Sequence, residues 1–193
     1  DMYKISRQEQ DDFAYKSQTK TQLSLKKKIF DDELIAVELN GYFLDKDEHP
    51  RKNLLIEDLK KLKPAFKKDG TVTPGNASGI NDGAAAVLLT TFDEVKKKSL
   101  KPLARIVSWS SVGVDPSLMG LGPIGAVRSA IKKANWKIDD IDLFEINEAF
   151  ASQTIAVIKE LGIDEKKVNV NGGAIALGHP IGASGTRILV TLV

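Results

Sequence analysis

The sequence predicts an α/β fold in which helices pack against a sheet. Short apolar segments alternate with helical segments from residue 84 onward, which is the pattern of a layered domain. One of these segments, residues 84–90, is a continuous apolar run, as in a strand buried on both faces. The sequence also changes character near residue 80. The residues before it are rich in charged and loop-forming types, and those after it form regular apolar and helical segments. We therefore expect two parts, residues 1–80 and 81–193.

A long helix is expected first, over residues 6–28. Ser6 followed by Glu9 forms a capping box, in which each side chain satisfies a free backbone amide. A strand is expected next at residues 33–39, because the residues alternate there and an Asn-Gly pair follows. The remainder of this part is predicted to hold an exposed loop at 45–52, a short helix near 56–62 and a long ordered loop at 67–83.

The second part is predicted to alternate strands with helices. Strands are expected at 84–90, 103–112, 141–146 and 168–170. Helices are expected at 92–98, 124–134 and 149–161, and a last one begins at 186. That last helix reaches residue 193 without a capping residue, so we expect the chain to be a piece of a longer protein.

Composition and charge exclude several classes of protein. The 193 residues are 42% hydrophobic and 28% charged, as in ordinary globular domains. A net charge of +2 argues against nucleic-acid binding, and so do lysine clusters that lie beside acidic residues without interleaved aromatic residues. No apolar run reaches the roughly 20 residues of a membrane span. The chain has no cysteine, which excludes a disulfide framework, a cysteine zinc site and a thiol nucleophile of its own.

A glycine-dense loop at residues 171–187 holds one of the two histidines, His179. Its glycines permit close backbone approach, and Pro180 restricts the conformation of the histidine before it. An imidazole held in this way is suited to activate a nucleophile or bind an oxyanion, although a purely structural role is the alternative. The loop matches neither dinucleotide nor P-loop phosphate motifs. The other histidine, His49, lies in a charged loop and is expected to be surface.

Two further segments carry polar side chains that suit a binding site. Asn147 stands where a predicted strand gives way to a helix, the position at which ligands bind in open α/β sheets. It could position a water or simply cap the helix, and spacing alone favours the cap. The loop 76–83, with Ser78 among small residues, could hold a slender ligand or be an ordinary turn cluster.

Together these segments resemble the thiolase family, in its acetyl-CoA acetyltransferase branch. The loop 76–83, the Asn-Glu-Ala-Phe sequence at 147–150 and the glycine loop 172–185 occur in the family's order and at its intervals. The segment 116–123 is similar to short-chain members. The resemblance implies half of a layered αβα core, incomplete, in residues 81–193, truncated before its final strands. It also implies that residues 1–80 are part of the coenzyme A-binding loop domain.

The resemblance also implies roles for six residues. His179 would activate a nucleophilic cysteine and help to hold the thioester oxygen, and Asn147 would fix a water that completes that oxyanion hole. Ser78 would contact the pantetheine arm of coenzyme A. Met119 and Phe150 would line the acyl pocket. Arg51 would meet the nucleotide end of coenzyme A.

The implied reaction joins two acetyl-CoA molecules reversibly into acetoacetyl-CoA and coenzyme A. Thiolases use two cysteines for this, and the chain has neither, so we expect the isolated chain to be inactive. The rival interpretations are a 3-ketoacyl-CoA thiolase of β-oxidation and a non-catalytic coenzyme A-binding piece. The resemblance implies no cofactor and no metal. Phe13 stands where the potassium-dependent form has a tyrosine, so no potassium site is expected.

The same resemblance sets expectations for partners and location. The partners are coenzyme A thioesters and, in the full parent, further copies of the chain in a dimer or tetramer. No nucleic acid or membrane partner is expected. The predicted location is the cytoplasm, with mitochondria as the alternative.

Overall fold

The computed structural model describes residues 2–193; Asp1, the first residue of the expected 1–80 part, lies outside the described residues. Most predicted helices form close to their expected bounds. The α-helices are α1 Arg7–Lys26, α2 Ile56–Lys60, α3 Phe92–Lys97, α4 Gly122–Ala134, α5 Ala151–Leu161, α6 Ala174–Leu177 and α7 Ser184–Leu192. Short 3-10 turns occupy Pro116–Leu121, Ile138–Asp140 and Glu165–Lys167, and α6 was not predicted.

Helix α1 begins with the predicted capping box. The backbone amide of Glu9 donates to the Ser6 hydroxyl at 3.2 Å, and the amide of Ser6 donates to the Glu9 carboxylate at 2.7 Å. The helix packs against α2, α5 and α6. Its buried face is mostly polar, which the apolar pattern of the sequence did not indicate: Gln10, Asp11, Ser17, Gln18, Thr21 and Ser24 are all buried.

Helix α5 contributes the largest share of the apolar core. Its buried side chains pack with Phe13 of α1, Leu59 of α2, Val168 and Ile175. The helix ends at Gly162, whose φ of +67° is the left-handed conformation that closes many helices. The predicted end of this helix is confirmed, and the core it organises fixes the polar residues that precede it.

The predicted strand at 33–39 forms only over its last three residues. β1 Val37–Leu39 pairs antiparallel with β2 Tyr42–Leu44, a partner strand that was not predicted. The turn between them needs two positive φ values, and Asn40 and Gly41 supply them at 50° and 84°. The result is a small hairpin whose residues are exposed on both faces.

The prediction of four strands in the second part is wrong, because none of these segments forms a strand among residues 2–193. Residues 84–90 and 103–112 pair with no described segment, and only an isolated parallel bridge joins Phe144 to Val168. A strand depends on backbone hydrogen bonds from a neighbour, and among residues 2–193 no backbone group bonds to the backbone of either segment. Their apolar side chains therefore stay exposed: Leu88 by 94% and Leu103 by 91%.

These unpaired apolar segments lead us to expect that the chain associates with itself. Sedimentation velocity should show a distribution of species heavier than 21.0 kDa. Replacing Leu88 and Leu103 by lysine, which interrupts both segments with charge, should shift that distribution toward the monomer. A stable, monodisperse monomer of the unaltered chain would contradict the expectation.

None of the helices in residues 2–193 has the length and apolar character of a bilayer span.

Candidate functional site

Backbone hydrogen bonds hold the loop 76–83 against the start of α5. The amide and the hydroxyl of Ser78 both donate to the carbonyl of Ala149, each at 3.0 Å. The amide of Ala151 in turn donates to the Asn76 carbonyl at 2.9 Å. Because these bonds cross between the two segments, they place Ser78 beside the residues that follow Asn147.

The same loop is anchored from below by a buried polar cluster. The side-chain amide of Asn76 donates to the carboxylate of Asp11 at 2.9 Å, and its oxygen accepts from the Thr73 amide at 2.9 Å. Arg7 donates to the other oxygen of Asp11 at 2.7 Å. Polar groups can be buried when they are hydrogen-bonded in this way. Here the hydrogen bonds fix the loop 76–83 to helix α1.

His179 is fixed to this loop through its backbone. Its amide donates to the side-chain oxygen of Asn81 at 3.2 Å, and a parallel bridge joins it to Ile80. The residue before it, Gly178, has a φ of +98°, and a Cβ there would lie 2.5 Å from Asn81 Oδ1. Only glycine meets both conditions, so the glycine in this position is required by the approach of the loop.

The imidazole of His179 contacts two polar side chains. Nε2 lies 3.2 Å from the amide nitrogen of Asn147, and Nδ1 lies 2.6 Å from the Ser184 hydroxyl. The remaining oxygen of Asn147 is buried without a hydrogen-bond partner among residues 2–193, so it can accept from a water or a ligand. Burial and, secondarily, the charge of Arg187 lower the pKa of His179. The ring is therefore suited to act as a neutral base.

Directly after Asn147, the carboxylate of Glu148 joins several elements beneath the site. It is 1% exposed and accepts from the Ser17 hydroxyl at 2.6 Å, the Asn169 amide at 2.9 Å and the backbone of Ile175 at 3.2 Å. A Cβ on Gly173 would overlap this carboxyl. Burial raises the pKa of Glu148, and the hydrogen bonds it accepts oppose that rise.

The contacts above bring Ser78, Asn147 and His179 together, and Phe150 lies with them at the start of α5. The Phe150 ring packs edge to face on Phe66, with centroids 6.0 Å apart. Met119 is 74% exposed on the 3-10 turn that packs against α4 and α5.

Arg51 and His49 occupy the segment before α2. Arg51 donates to the carbonyl of Pro74 at 3.0 Å, and its backbone bonds two glutamines of α1, Gln18 and Gln22. His49 is not plain surface as expected, because it is half-buried and its ring would meet a Cβ on Gly79. Burial lowers the pKa of His49.

Sequence reasoning missed Asn81, Glu148 and Ser184 as residues that hold the site. Asn81 and Ser184 lie inside the two segments that the sequence singled out, but their partners are set by how the loops meet. Glu148 adjoins Asn147, and a lone glutamate in a helix-start sequence gives no sign that it will be buried.

A buried ion pair lies one turn further along α7 from Ser184. Glu145 contacts Arg187 at 3.5 Å, and both terminal nitrogens of Arg187 are buried without a hydrogen-bond partner among residues 2–193. Burial raises the pKa of Glu145 to about 7, although Arg187 opposes the rise. The side chain therefore titrates near neutral pH in the folded chain.

This titration predicts a loss of stability as the pH rises. Between about 4.5 and about 7 the unfolded state has lost the Glu145 proton while the folded state keeps it. The free energy of unfolding should fall through that window by roughly 3 kcal/mol. In Glu145→Gln, which resembles the protonated side chain, that part of the fall should vanish. Urea unfolding at pH 5 and pH 8 measures it, with Glu160→Gln, at an exposed glutamate, as the control. Equal losses in the unaltered chain and Glu145→Gln would contradict the prediction.

Comparison with known proteins matches the chain to two family models. The model described as "Thiolase, N-terminal domain" matches residues 1–93, and "Thiolase, C-terminal domain" matches residues 100–193. An acetyl-CoA acetyltransferase of Syntrophomonas wolfei subsp. wolfei is 56% identical over 199 residues, which cover 100% of this chain and 50% of that protein. The chain thus spans about half the length of the curated relatives it matches.

Solved structures agree on the fold. The acetyl-CoA acetyltransferase of Bacillus anthracis superposes with a TM-score of 0.95 at 50% identity, over 99% of this chain and 50% of that one. Human mitochondrial 3-ketoacyl-CoA thiolase in complex with CoA gives 0.93 at 48% identity, over 99% and 48%. These likenesses confirm the predicted α/β class, although the chain covers only about half of the thiolase fold. Taken with the two family models, they show that the chain belongs to the thiolase family.

Proposed function

We infer that the chain carries the histidine and asparagine side of the thioester site of an acetyl-CoA C-acetyltransferase. The reaction joins two acetyl-CoA molecules into acetoacetyl-CoA and releases coenzyme A, and it is reversible. The observation that carries the proposal is the 3.2 Å contact of Asn147 with Nε2 of His179, beside the loop of Ser78. Relatives of about 50% identity named acetyl-CoA acetyltransferase support the same activity.

The geometry supports two catalytic roles in this reaction. The Nε2 atom of a neutral His179 accepts the proton of an attacking thiol, and the resulting N–H then donates to the thioester oxygen as negative charge develops there. The free oxygen of Asn147 accepts a hydrogen bond from a water, whose other proton points at the same thioester oxygen. The thiol itself must come from outside these 193 residues, because they contain no cysteine.

Binding of the coenzyme A part of the substrate is assigned to three further positions. Ser78 lies on the loop beside α5 and is assigned to the pantetheine arm. Phe150, on its Phe66 neighbour, and the exposed Met119 are assigned to the acyl pocket. Arg51 is assigned to the nucleotide end. A CoA complex among the structural neighbours supports a coenzyme A thioester as the ligand.

The isolated chain should not cleave acetoacetyl-CoA. Without a thiol no acyl-enzyme can form, whatever the state of His179. The assay follows the loss of acetoacetyl-CoA in the presence of coenzyme A, with the chain purified from a host that lacks its own thiolases. The Syntrophomonas wolfei enzyme is the positive control. Turnover by the chain alone would contradict the proposed division of the site.

A hybrid enzyme separates this proposal from its main alternative. In the hybrid, this chain replaces the aligned 199-residue segment of the Syntrophomonas wolfei enzyme. A strong preference for the four-carbon substrate supports the acetyltransferase. Rates that rise with longer 3-ketoacyl-CoA substrates instead support a 3-ketoacyl-CoA thiolase, the name carried by one structural neighbour at 48% identity.

A further inference from the structure

We propose that Ser184 is a positioning residue that keeps the proton of His179 on Nδ1, so that Nε2 presents its lone pair toward Asn147 and the site. The proposal rests on the proposed function only for the use made of Nε2. The position of the proton itself follows from the hydrogen bonds at the two ends of the ring.

The first argument starts from the serine. Its hydroxyl has a single proton, and the oxygen lies 3.0 Å from the carbonyl of Pro180, which can only accept. With that proton donated to Pro180, the 2.6 Å contact between Ser184 and His179 needs its proton from Nδ1. Nδ1 is therefore the donor, and the serine oxygen is the acceptor.

The second argument starts from the opposite side of the ring. The side-chain nitrogen of Asn147 can only donate, and it lies 3.2 Å from Nε2. Nε2 must then present its lone pair, so the ring of neutral His179 carries its proton on Nδ1. The contact with Asn147 therefore selects the tautomer in which Nδ1 donates to Ser184, and the bond from the Ser184 hydroxyl to Pro180 agrees with it.

The position of Ser184 makes it a rigid acceptor. It is the first residue of α7 and is 3% exposed, and its amide donates to the Pro180 carbonyl at 2.8 Å. A hydroxyl orients the imidazole without adding negative charge, whereas a carboxylate in its place would stabilise the protonated ring. The charged groups behind it are Arg187, one turn further along α7, and Glu145, paired with Arg187. Ser184 thus sets the tautomer while the ring stays neutral.

The test is a nitrogen spectrum of the full chain labelled with 15N-histidine. Only two histidines contribute, and the variant His49→Gln leaves the signals of His179 alone. Magic-angle spinning makes the measurement independent of self-association. Nδ1 of His179 should resonate as a protonated nitrogen and Nε2 as an unprotonated one at pH 8. In Ser184→Ala both signals should move part of the way toward intermediate positions, because only the contact with Asn147 then favours the Nδ1–H tautomer.

Three comparisons decide between positioning and packing. Ser184→Thr keeps the hydroxyl and should retain the unaltered spectrum, and Ser117→Ala is a control at an exposed serine. If Ser184→Ala loses its helical circular dichroism, Ser184→Cys keeps the side chain's size with a weaker acceptor and should show the same shift. A spectrum unchanged in the folded variant, or a proton on Nε2 in the unaltered chain, would overturn the proposal. The spectrum is measured without substrate. The tautomer proposal can therefore be overturned while the proposed activity holds, and the proposed activity can be overturned while the tautomer proposal holds.

Discussion

Replacing Glu148 by alanine should lower the free energy of unfolding by about 3–5 kcal/mol. The substitution removes a fully buried carboxylate and leaves the donors on Ser17, Asn169 and Ile175 without an acceptor. It also removes one of the links between α1 and α6, because the carboxylate accepts from both Ser17 and Ile175, while the bond from the Gly173 amide to the Ser17 hydroxyl remains. The loss should therefore be large for a single substitution.

Urea unfolding followed by circular dichroism measures this loss. Glu160→Ala is the matched control, because Glu160 makes an exposed ion pair with Arg128 and should cost at most about 1 kcal/mol. Glu148→Gln should fall between them, since its amide retains one acceptor oxygen. An alanine variant as stable as the Glu160 control would contradict the structural role assigned to Glu148.

Replacing His179 by alanine in the hybrid enzyme should lower kcat/KM for acetoacetyl-CoA by about 10²–10⁴. The ring supplies both the base and one donor to the thioester oxygen in the proposed mechanism. Asn147→Ala should cost about 10²–10³, because one oxyanion contact is lost while the base remains.

Steady-state kinetics on the purified hybrid measures both effects. Asn135→Gly is the matched control for the asparagine: Asn135 ends α4 with a positive φ of 57°, which glycine adopts readily, and it takes no part in the site. A His179 variant with the activity of this control would remove the basis for the assigned roles.

Most helices could be predicted from the sequence because their signals are local, and the four-residue α6 inside the glycine loop is the exception. The capping box at Ser6 and the glycine at 162 each act within a few residues of the helix they begin or end. The strands depend on neighbours instead. Residues 84–90 have the composition of a central strand, but hydrogen-bonded partners decide whether they form one, and no sequence pattern within the segment supplies those.

The site was predictable in part for a similar reason. His179 stands out because glycines surround it, and Asn147 because it precedes a helix. The residues that hold them are less visible, since Glu148 acts through contacts with distant segments and Ser184 through a buried hydroxyl at the start of α7. Likewise, the buried polar face of α1 forms hydrogen bonds to neighbouring loops. It was not predicted, because a polar helix face has the same composition as an exposed one.

The most direct test of the central claim is the rate at which the hybrid cleaves acetoacetyl-CoA. If this chain supplies the histidine and asparagine side of the site, the hybrid should turn over within about tenfold of the unaltered Syntrophomonas wolfei enzyme, because a 56% identical segment then restores the same groups. A hybrid that folds and binds coenzyme A but shows no cleavage would contradict the claim.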